Sequence, residues 1–318
     1  MSSHMSSAIT RLGDPQRVDV DIVIPVYNEQ DALERSVLAL CGHLYETRDD
    51  TSPFTWNVVI AGNASTDATW AIARTLHDRW PHNIRALHID RKGRGFALKV
   101  SWMSSRARVV AYMDADLSTD IRHTGQLVLP LLLGDADLTC GCRLDPRASV
   151  TRSWTRETIS RTYNQMLRSY LDARFRDAQC GFKAMTREAA HALLPYVEDD
   201  EWFFDTELLM KAQWMGMRLL EIPVHWVEDA GTTVDIPDTV AKDLTGMRRL
   251  RRERPEQSVT TSGTPAGSDL SWDERGQHTL PGSLILVDGT ASRTPGALQT
   301  PETPQTPGTT EATEGTPR

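Results

Sequence analysis

Apolar and polar residues follow two different periods along the first half of the chain. Short runs rich in Val and Ile, most of them closed by Gly, Asn or Asp, are typical of buried β-strands. Between these runs the apolar residues recur every three or four positions, which is typical of helices packed on a sheet. The pattern predicts strands over residues 20–28, 55–62, 83–90, 107–114 and 136–142, and helices over 29–46, 65–80, 93–105 and 120–133.

The strict alternation of strands and helices predicts an α/β fold with a mostly parallel sheet and helices on both of its faces. Ligands of such sheets bind outside the carboxyl ends of the strands. Four polar segments lie at those ends, and they read PVYNE, GNASTD, DRKGRG and DADLS. We therefore expect the functional site at this edge of the sheet.

The second half of the chain is less regular and predicts a mixed arrangement. Pro223 interrupts the last predicted strand, which favours an edge or bulge position over the centre of a sheet. The pattern predicts helices over residues 155–171, 187–197 and 204–217, and strands over 178–186 and 218–227.

Composition divides the 318 residues into a single folded domain and two flanks. Beyond Pro255 the chain is dominated by Thr, Pro, Gly, Ser and Gln, which cannot bury enough apolar surface to offset chain entropy. We predict a disordered tail over 255–318 and a disordered N-terminus over 1–18, whose MSSHM start resembles a cloning scar. The folded domain is predicted over 19–254, a usual single-domain size.

The charge distribution bears on possible partners. A net charge of −8 argues against general nucleic-acid binding. The exception is the arginine-rich run GMRRLRRERP at residues 246–255, for which two interpretations stay open. It is either a solvated helix end, where cations suit the helix dipole, or a patch that contacts an anionic membrane surface.

Cysteine spacing and hydropathy indicate the compartment. None of the four cysteines has the spacing of a zinc site, and no signal peptide is recognisable, so reduced thiols in a cytoplasmic protein are expected. The longest apolar run, LVLPLLL, is too short to span a bilayer and contains Pro130. We expect no transmembrane anchor, and a location in the cytoplasm with peripheral contact at the inner membrane face as the further possibility.

Two carboxylates close the fourth predicted strand. Asp114 and Asp116 alternate along an extended chain, so their side chains point to the same side. Such a pair becomes favourable when Mg²⁺ or Mn²⁺ lies between the carboxylates and a diphosphate. The alternative is a turn or a helix N-cap, in which Asp120 begins the next helix.

A glycine-rich loop adds positive charge beside these carboxylates. Gly93 and Gly95 would let the backbone approach a ligand at a helix start, and Arg94, Lys92 and Lys99 supply cations. The loop lacks the Walker spacing of a P-loop. It is consistent with diphosphate binding.

Taken in order, IVIPVYNEQDAL, NASTDAT, RKGRGFAL and DADLS resemble a family 2 inverting glycosyltransferase of the GT-A fold. GCRLDP, ISRTYN, AQCGFKAMTREAA and WFFDTELL are similar to the branch of dolichyl-phosphate glucosyltransferases and dolichol-phosphate mannose synthases. The resemblance covers residues 19–227. It implies a nucleotide-binding sheet followed by a mixed acceptor-side half.

The resemblance also assigns site residues. It implies metal binding by Asp114 and Asp116, and contacts to an acceptor phosphate from Arg143, Arg161 and Lys183. For these three cations the alternatives are a solvated loop, an exposed helix face and a strand edge. The nucleotide-sugar pocket would be formed by Pro25, Tyr27, Glu29, Asn63, Gly93, Arg94 and Asp114.

Asp205 matches the position that acts as general base when the acceptor is a hydroxyl, and its alternative is an N-cap of the helix that follows. A lipid phosphate is already ionised and needs arginines more than it needs a base. Two departures from the family pattern concern the donor: Gly62 replaces the usual base-contacting aspartate, and Ser118 replaces a common glutamine. The membrane spans of many relatives are also absent.

We therefore predict a metal-dependent hexosyltransferase, with a UDP-glucose-like nucleotide-diphosphate sugar as donor and a polyprenyl phosphate as acceptor, catalysing transfer with inversion. Two alternatives remain at this point. One is transfer to a soluble hydroxyl acceptor in polysaccharide or natural-product assembly, and the other is a non-catalytic sugar-nucleotide binder.

Overall fold

A computed structural model of the chain describes residues 9–13, 15–228 and 236–254. The tail predicted over 255–318 lies outside the described residues, as do residues 1–8 of the predicted N-terminal flank. Within the described parts of the chain, no helix is long and apolar enough to cross a membrane.

The strands of the described domain are β1 (Ile9–Leu12), β2 (Val20–Val26), β3 (Trp56–Asn63), β4 (Ile84–Ile89), β5 (Val109–Met113), β6 (Leu138–Cys142), β7 (Ser149–Thr151), β8 (Phe182–Thr186), β9 (Leu219–Pro223) and β10 (His225–Val227). Eight of them form a central sheet in the order β1-β4-β3-β2-β5-β8-β6-β9. The two short strands β7 and β10 pair in parallel as a second sheet.

Helices cover both faces of the large sheet, and buried apolar residues form one cluster against each face. The strands between them are buried on both sides, which explains their almost continuous apolar sequences. The α-helices are α1 (Leu33–Glu46), α2 (Thr69–Arg79), α3 (Arg94–Met103), α4 (Thr124–Leu132), α5 (Trp154–Leu171), α6 (Arg187–Leu193), α7 (Phe204–Trp214) and α8 (Ile236–Glu253).

The α/β class and the mostly parallel sheet are confirmed. Strands β4, β3, β2 and β5 are parallel neighbours, as the alternation of elements predicts. Pro223 ends β9, the outermost strand on its side of the sheet, so the edge position predicted from this proline is also confirmed. The sequence did not predict β1, which lies inside the flank assigned to disorder and pairs antiparallel with β4 along the opposite edge. Four residues are too few to show a clear period.

Strand β8 runs against both of its neighbours, and this reversal positions the candidate site. Its register with β5 sets Lys183 directly opposite Tyr112. One step further along, the backbone N–H of Asp114 donates to the carbonyl oxygen of Gly181 at 3.1 Å. The two conspicuous segments DADLS and QCGFK therefore meet at the same point of the sheet.

The small β7–β10 sheet supports the segment that carries Asp116. Thr119 forms an isolated bridge with Trp226, and the N–H of Asp120 donates to the carbonyl oxygen of His225 at 3.0 Å. These bonds tie the segment that follows Asp116 to β10.

Helix α8 packs beside α5 and buries an acidic residue. Asp243 is buried and accepts a hydrogen bond from Nε2 of Gln179 at 3.2 Å. Burial and the nearby Asp199 raise the pKa of Asp243 to about 7, against weaker opposing hydrogen bonds from Gln179 and Tyr163. The folded state therefore holds a proton that the unfolded chain releases near pH 4.

This difference predicts a pH-dependent loss of stability. Between about pH 4 and pH 7 the unfolded state binds fewer protons than the folded state, so the free energy of unfolding falls as the pH rises and then levels off. Replacing Asp243 with Asn should remove that fall, on the order of 4 kcal/mol for a shift of about three pKa units. Urea unfolding at pH 4, 5.5, 7 and 8 measures it, with Asp78→Asn on the exposed side of α2 as the control. Parallel curves for wild type and Asp243→Asn would contradict the assignment.

Candidate active site

Three loops at the carboxyl edge of the sheet are held together by the side chain of Asn63. Its Nδ2 donates to the carbonyl oxygen of Val26 at 2.9 Å, and its Oδ1 accepts from the N–H of Gly93 at 3.3 Å. Asn63 is buried, so both bonds are shielded from water. The amide that we predicted to contact the nucleotide therefore fixes the walls around the predicted pocket.

The other residues predicted for the nucleotide lie on these walls. Pro25 is a buried residue of β2, and Glu29 is partly buried, with its N–H donating to Oγ1 of Thr69 at 2.8 Å. Tyr27 is exposed, and Nζ of Lys92 lies 3.9 Å from the centre of its ring. An exposed aromatic ring with a cation above it suits stacking or phosphate contacts at the mouth of a pocket.

The two glycines of the loop allow a close contact with residues 200–204. A Cβ atom on Gly93 would lie 2.7 Å from the carbonyl oxygen of Asp200, and one on Gly95 would lie 2.7 Å from Cβ of Phe204. Gly93 also has a φ of +149°, which disfavours other residues. The glycines thus admit residues 200–204 against the loop. The structure therefore gives the glycines a packing role within the chain, and their predicted contact to the nucleotide sugar stays a prediction.

That contact brings Arg94 between two carboxylates. Its Nη2 donates to Oδ1 of Asp114 at 2.7 Å, and its Nη1 donates to Oδ2 of Asp205 at 2.6 Å. The guanidinium group also lies over the rings of Tyr112 and Trp202, at 4.8 and 5.3 Å from their centres. Burial alone would disfavour the charge, but Asp114, Tyr112 and Asp205 raise the pKa of Arg94.

The carboxylate of Asp205 is buried and bonded on both oxygens. Besides the bond from Arg94, it accepts a short hydrogen bond from the hydroxyl of Tyr112 and an ion pair from Nζ of Lys183 at 2.9 Å. Burial would raise the pKa of Asp205, but Lys183 and Arg94 together lower it below the ordinary value. The predicted alternative of an N-cap does not hold, because Asp205 lies within the first turn of α7 and its side chain points to β5 and β8.

Lys183 does not fit the role predicted for it. Its side chain is fully buried, and Nζ also donates to the carbonyl oxygens of Ala178 and Cys180 at 2.9 and 2.7 Å. Against the cost of burial, Asp205 and Tyr112 raise its pKa, so it stays charged. A phosphate could not reach this ammonium group without unfolding its surroundings. Lys183 is the counter-ion of Asp205, and neither the predicted phosphate contact nor the strand-edge alternative applies.

The predicted metal ligands Asp114 and Asp116 both lie at the surface of the site. The side chain of Asp114 is 41% exposed, and Asp116 is exposed. A Cβ atom on Gly181 would lie 1.6 Å from Oδ2 of Asp114, so the carboxylate occupies the space that this glycine leaves open. Within the described ranges no group of three or more His, Cys, Asp or Glu is arranged to hold a metal. Mg²⁺ and Mn²⁺ sites of two carboxylates completed by phosphate oxygens and water do not require a third.

The alternative structural roles proposed for this segment are also present. Oδ1 of Asp116 accepts from the N–H of Ser118 at 2.9 Å, which closes a turn with Leu117 at a φ of +51°. Asp120 accepts from the N–H of Arg122 at 2.9 Å and caps a short 3-10 helix. The turn orients Asp116 and does not compete with metal binding, since a carboxylate has further lone pairs.

The two arginines predicted for the acceptor phosphate lie in different surroundings. Arg143 is mostly buried and donates through Nε and Nη2 to both oxygens of Asp177 at 2.8 and 2.9 Å, a bidentate pair that occupies one edge of its guanidinium. Arg161 projects from α5 with 63% of its side chain exposed, beside Glu157 one turn earlier. An incoming anion can therefore reach Arg161 more easily than Arg143.

Sequence reasoning missed Tyr112, Trp202 and Asp177. Tyr112 could have been found, because it lies two residues before Asp114 and alternation places the two on one face of β5. Trp202 and Asp177 lie in loops whose approach to Arg94 and Arg143 depends on the fold, so no local pattern marks them.

The fold is similar to solved structures of sugar transferases. Glucosyl-3-phosphoglycerate synthase from Mycobacterium tuberculosis, solved with Mn²⁺, UDP-glucose and phosphoglyceric acid, matches with a TM-score of 0.53 and 18% identity, over 76% of this chain and 82% of that chain. The same enzyme with Mn²⁺, UDP and glucosyl-3-phosphoglycerate gives 0.52 and 17%, over the same shares. The architecture is that of the GT-A glycosyltransferases.

The chain belongs to glycosyl transferase family 2, whose model matches residues 21–194. It is 38% identical to glycosyltransferase AglD of Haloferax volcanii over 232 residues, which are 72% of this chain but only 36% of that protein. It is 29% identical to dolichyl-phosphate beta-glucosyltransferase of Drosophila melanogaster, over 70% of this chain and 71% of that protein. The same enzyme of Homo sapiens is 27% identical, over 76% and 81%. The protein is thus a glycosyltransferase, and the predicted family is confirmed.

The space beside Gly181 yields a prediction. Gly181→Ala should push the carboxylate of Asp114 aside, because the new methyl group would overlap Oδ2. We expect at least about tenfold weaker Mn²⁺ binding in the presence of UDP, since a ligand displaced by even 1 Å loses its contact to the ion. The melting temperature should change little, because a side chain gives way rather than the backbone. Calorimetric titration measures binding, and Gly42→Ala on α1, where a Cβ meets nothing within 4 Å, is the control. Unchanged Mn²⁺ binding in Gly181→Ala would mean that Asp114 does not hold the metal.

Proposed function

We propose that the protein transfers a hexose from a nucleotide-diphosphate sugar, with UDP-glucose as the best candidate, to a polyprenyl phosphate with inversion at the sugar. The state of Asp205 carries this proposal. Both of its oxygens are bonded to cations or to a hydroxyl donor, and its pKa is lowered. A carboxylate in that state is a weak proton acceptor, so it suits an acceptor that arrives already ionised.

The donor side of the proposal rests on Asp114 and Asp116. These carboxylates would hold Mg²⁺ or Mn²⁺ against the diphosphate, and the ion would neutralise the charge that develops on the leaving group. Arg94 and Lys92 provide further positive charge beside the same edge of the sheet. Tyr27 and Glu29 lie on the wall where the nucleotide would bind, and Asn63 keeps that wall in place.

The acceptor side rests on exposed positive charge and on relatives. Arg161 is the accessible candidate for the acceptor phosphate, and Arg143 would contribute the guanidinium edge that faces away from Asp177. The names of the Drosophila and human relatives support a polyprenyl-phosphate acceptor of this kind. Asp205 then orients Arg94 and is not the base that the hydroxyl-acceptor interpretation requires.

An acceptor comparison tests the proposal. Purified protein with Mn²⁺ and a panel of UDP- and GDP-sugars should glycosylate a short polyprenyl phosphate and leave the matching polyprenol unmodified. Arg161→Ala should lower turnover about ten- to hundredfold, the loss of one charge-assisted contact of roughly 1.5–3 kcal/mol. Arg168→Ala, seven residues further along α5, is the control, and NMR of the product reports the anomer. Glycosylation of the polyprenol, or of a soluble hydroxyl acceptor in place of the phosphate, would refute the proposal, and donor binding without transfer would favour a sugar-nucleotide binder.

The proposal also includes peripheral contact with an anionic membrane at the cytoplasmic face. Arg248, Arg251 and Arg252 are exposed on the last turns of α8, and Arg251 donates to the carbonyl oxygen of Tyr170 at the end of α5. Tyr170 is itself exposed, so the ends of the two helices form one aromatic and cationic patch. Such residues suit a headgroup region that carries negative charge.

Vesicle binding tests this contact. Each arginine near an anionic surface contributes about 1 kcal/mol, so replacing Arg251 and Arg252 with Gln should weaken binding to phosphatidylglycerol-containing vesicles on the order of tenfold or more. Binding to neutral phosphatidylcholine vesicles should be weak for every variant. The double variant Arg35→Gln and Arg74→Gln removes two exposed arginines from α1 and α2 and should behave as wild type. Equal losses in both double variants would show that net charge alone, and not this patch, governs the contact.

A further inference from the structure

Arg94 binds the carboxylate that is proposed to bind the metal. Its Nη2 lies 2.7 Å from Oδ1 of Asp114, while 41% of the Asp114 side chain remains exposed. A divalent ion on Asp114 would therefore lie only a few ångströms from a guanidinium group. Two positive charges at that distance repel strongly in a partly buried site.

Arg94 cannot relieve this repulsion by turning towards water. Its other end is bonded to the buried Asp205 at 2.6 Å, and only about 10% of its side chain is exposed. Asp205 is in turn held by Lys183 and Tyr112. The rings of Tyr112 and Trp202 lie against the guanidinium group as well. The positive charge is therefore fixed beside Asp114 whether or not a metal is bound.

A diphosphate changes the balance of charges. It brings at least two negative charges to the same edge of the sheet, and its oxygens can bind an ion and a guanidinium group together. The negative charge of the diphosphate then offsets the repulsion between the two cations. The ion and the diphosphate should accordingly bind far better together than either does alone, which is a coupling free energy between two ligands.

We propose that Arg94 makes metal binding at Asp114 conditional on the diphosphate of the donor. The inference rests on the proposed function for the identity of both ligands. Arg94 acts here as a built-in substitute for the metal's charge, which neutralises Asp114 in the absence of ligands. Its effect is to keep Asp114 from holding a divalent ion until the nucleotide arrives.

The test measures binding, not turnover. Calorimetric titration of wild type with Mn²⁺ should give much weaker binding alone than in the presence of saturating UDP. In Arg94→Gln, which keeps a hydrogen-bonding side chain without the charge, Mn²⁺ alone should bind about tenfold or more tightly than it does to wild type, the scale on which one nearby charge acts. UDP in the absence of metal should bind more weakly to the variant. The dependence of Mn²⁺ binding on UDP should therefore shrink.

Two controls separate charge from position and from folding. Arg91→Gln removes a cation from the same loop, but that guanidinium group pairs with Asp200 and not with Asp114, so Mn²⁺ binding without UDP should match wild type. Arg94→Lys keeps the charge but cannot span both carboxylates as the guanidinium does, so it should retain part of the coupling. If Arg94→Gln proves unstable, Arg94→Met, which also removes the charge but keeps an unbranched side chain, takes its place in the same titrations.

Each outcome has one meaning. Mn²⁺ that binds wild type equally well with and without UDP overturns the inference, as does Arg94→Gln with unchanged Mn²⁺ binding. If wild type bound neither UDP nor Mn²⁺ even when both are present, that result would instead refute the proposed function on which the inference rests. Tighter Mn²⁺ binding in Arg94→Gln, together with weaker UDP binding, supports it.

Discussion

The arrangement of the site depends on one buried carboxylate, that of Asp205. Burying an ion costs several kcal/mol unless partners surround it, and here Lys183, Tyr112 and Arg94 do so from three directions. Each partner is thereby fixed as well: Lys183 to the centre of the sheet, Tyr112 to the end of β5, and Arg94 to the glycine loop. Removal of Asp205 would leave a buried ammonium and a mostly buried guanidinium without their shared counter-ion, so its loss would disturb stability and chemistry together.

The bond between Asp205 and Arg94 explains why glycines flank Arg94 in this loop. Gly93 and Gly95 are needed because residues 200–204 must pass close enough for Asp205 to reach Arg94. In sequence the same glycines resemble a phosphate-binding loop, and both interpretations predict a cation between them. The two interpretations differ in what an added Cβ atom would contact, and here it would contact Asp200 or Phe204 of the same chain. Such a partner lies more than a hundred residues away and cannot be read from local spacing.

The fold was largely predictable, because apolar runs typical of strands alternate with the three- to four-residue apolar spacing of helices. Pro223 also correctly indicated an edge of the sheet. Site residues could be predicted only where a short segment shows a recognisable local pattern or family motif. Asp114 and Asp116 follow from a strand end and alternation, and the family resemblance supplied Asp205. The role of Lys183 could not be foreseen, because a lysine in a strand looks the same whether it faces solvent or a buried carboxylate. Its register against Tyr112 and the reversal of β8 decide which of these applies.

The reversed strand β8 has a consequence for how the protein can move. It is hydrogen-bonded to β5, which leads to Asp114, and to β6, which leads to Arg143. The donor-side and acceptor-side halves are therefore joined by a continuous ladder of backbone hydrogen bonds. Opening the halves like a hinge would break hydrogen bonds of that ladder, each of which contributes to stability. Access for the two substrates must come from the segments above the sheet, such as residues 200–203 with Trp202, so rate-limiting motions would be those of loops against a rigid floor.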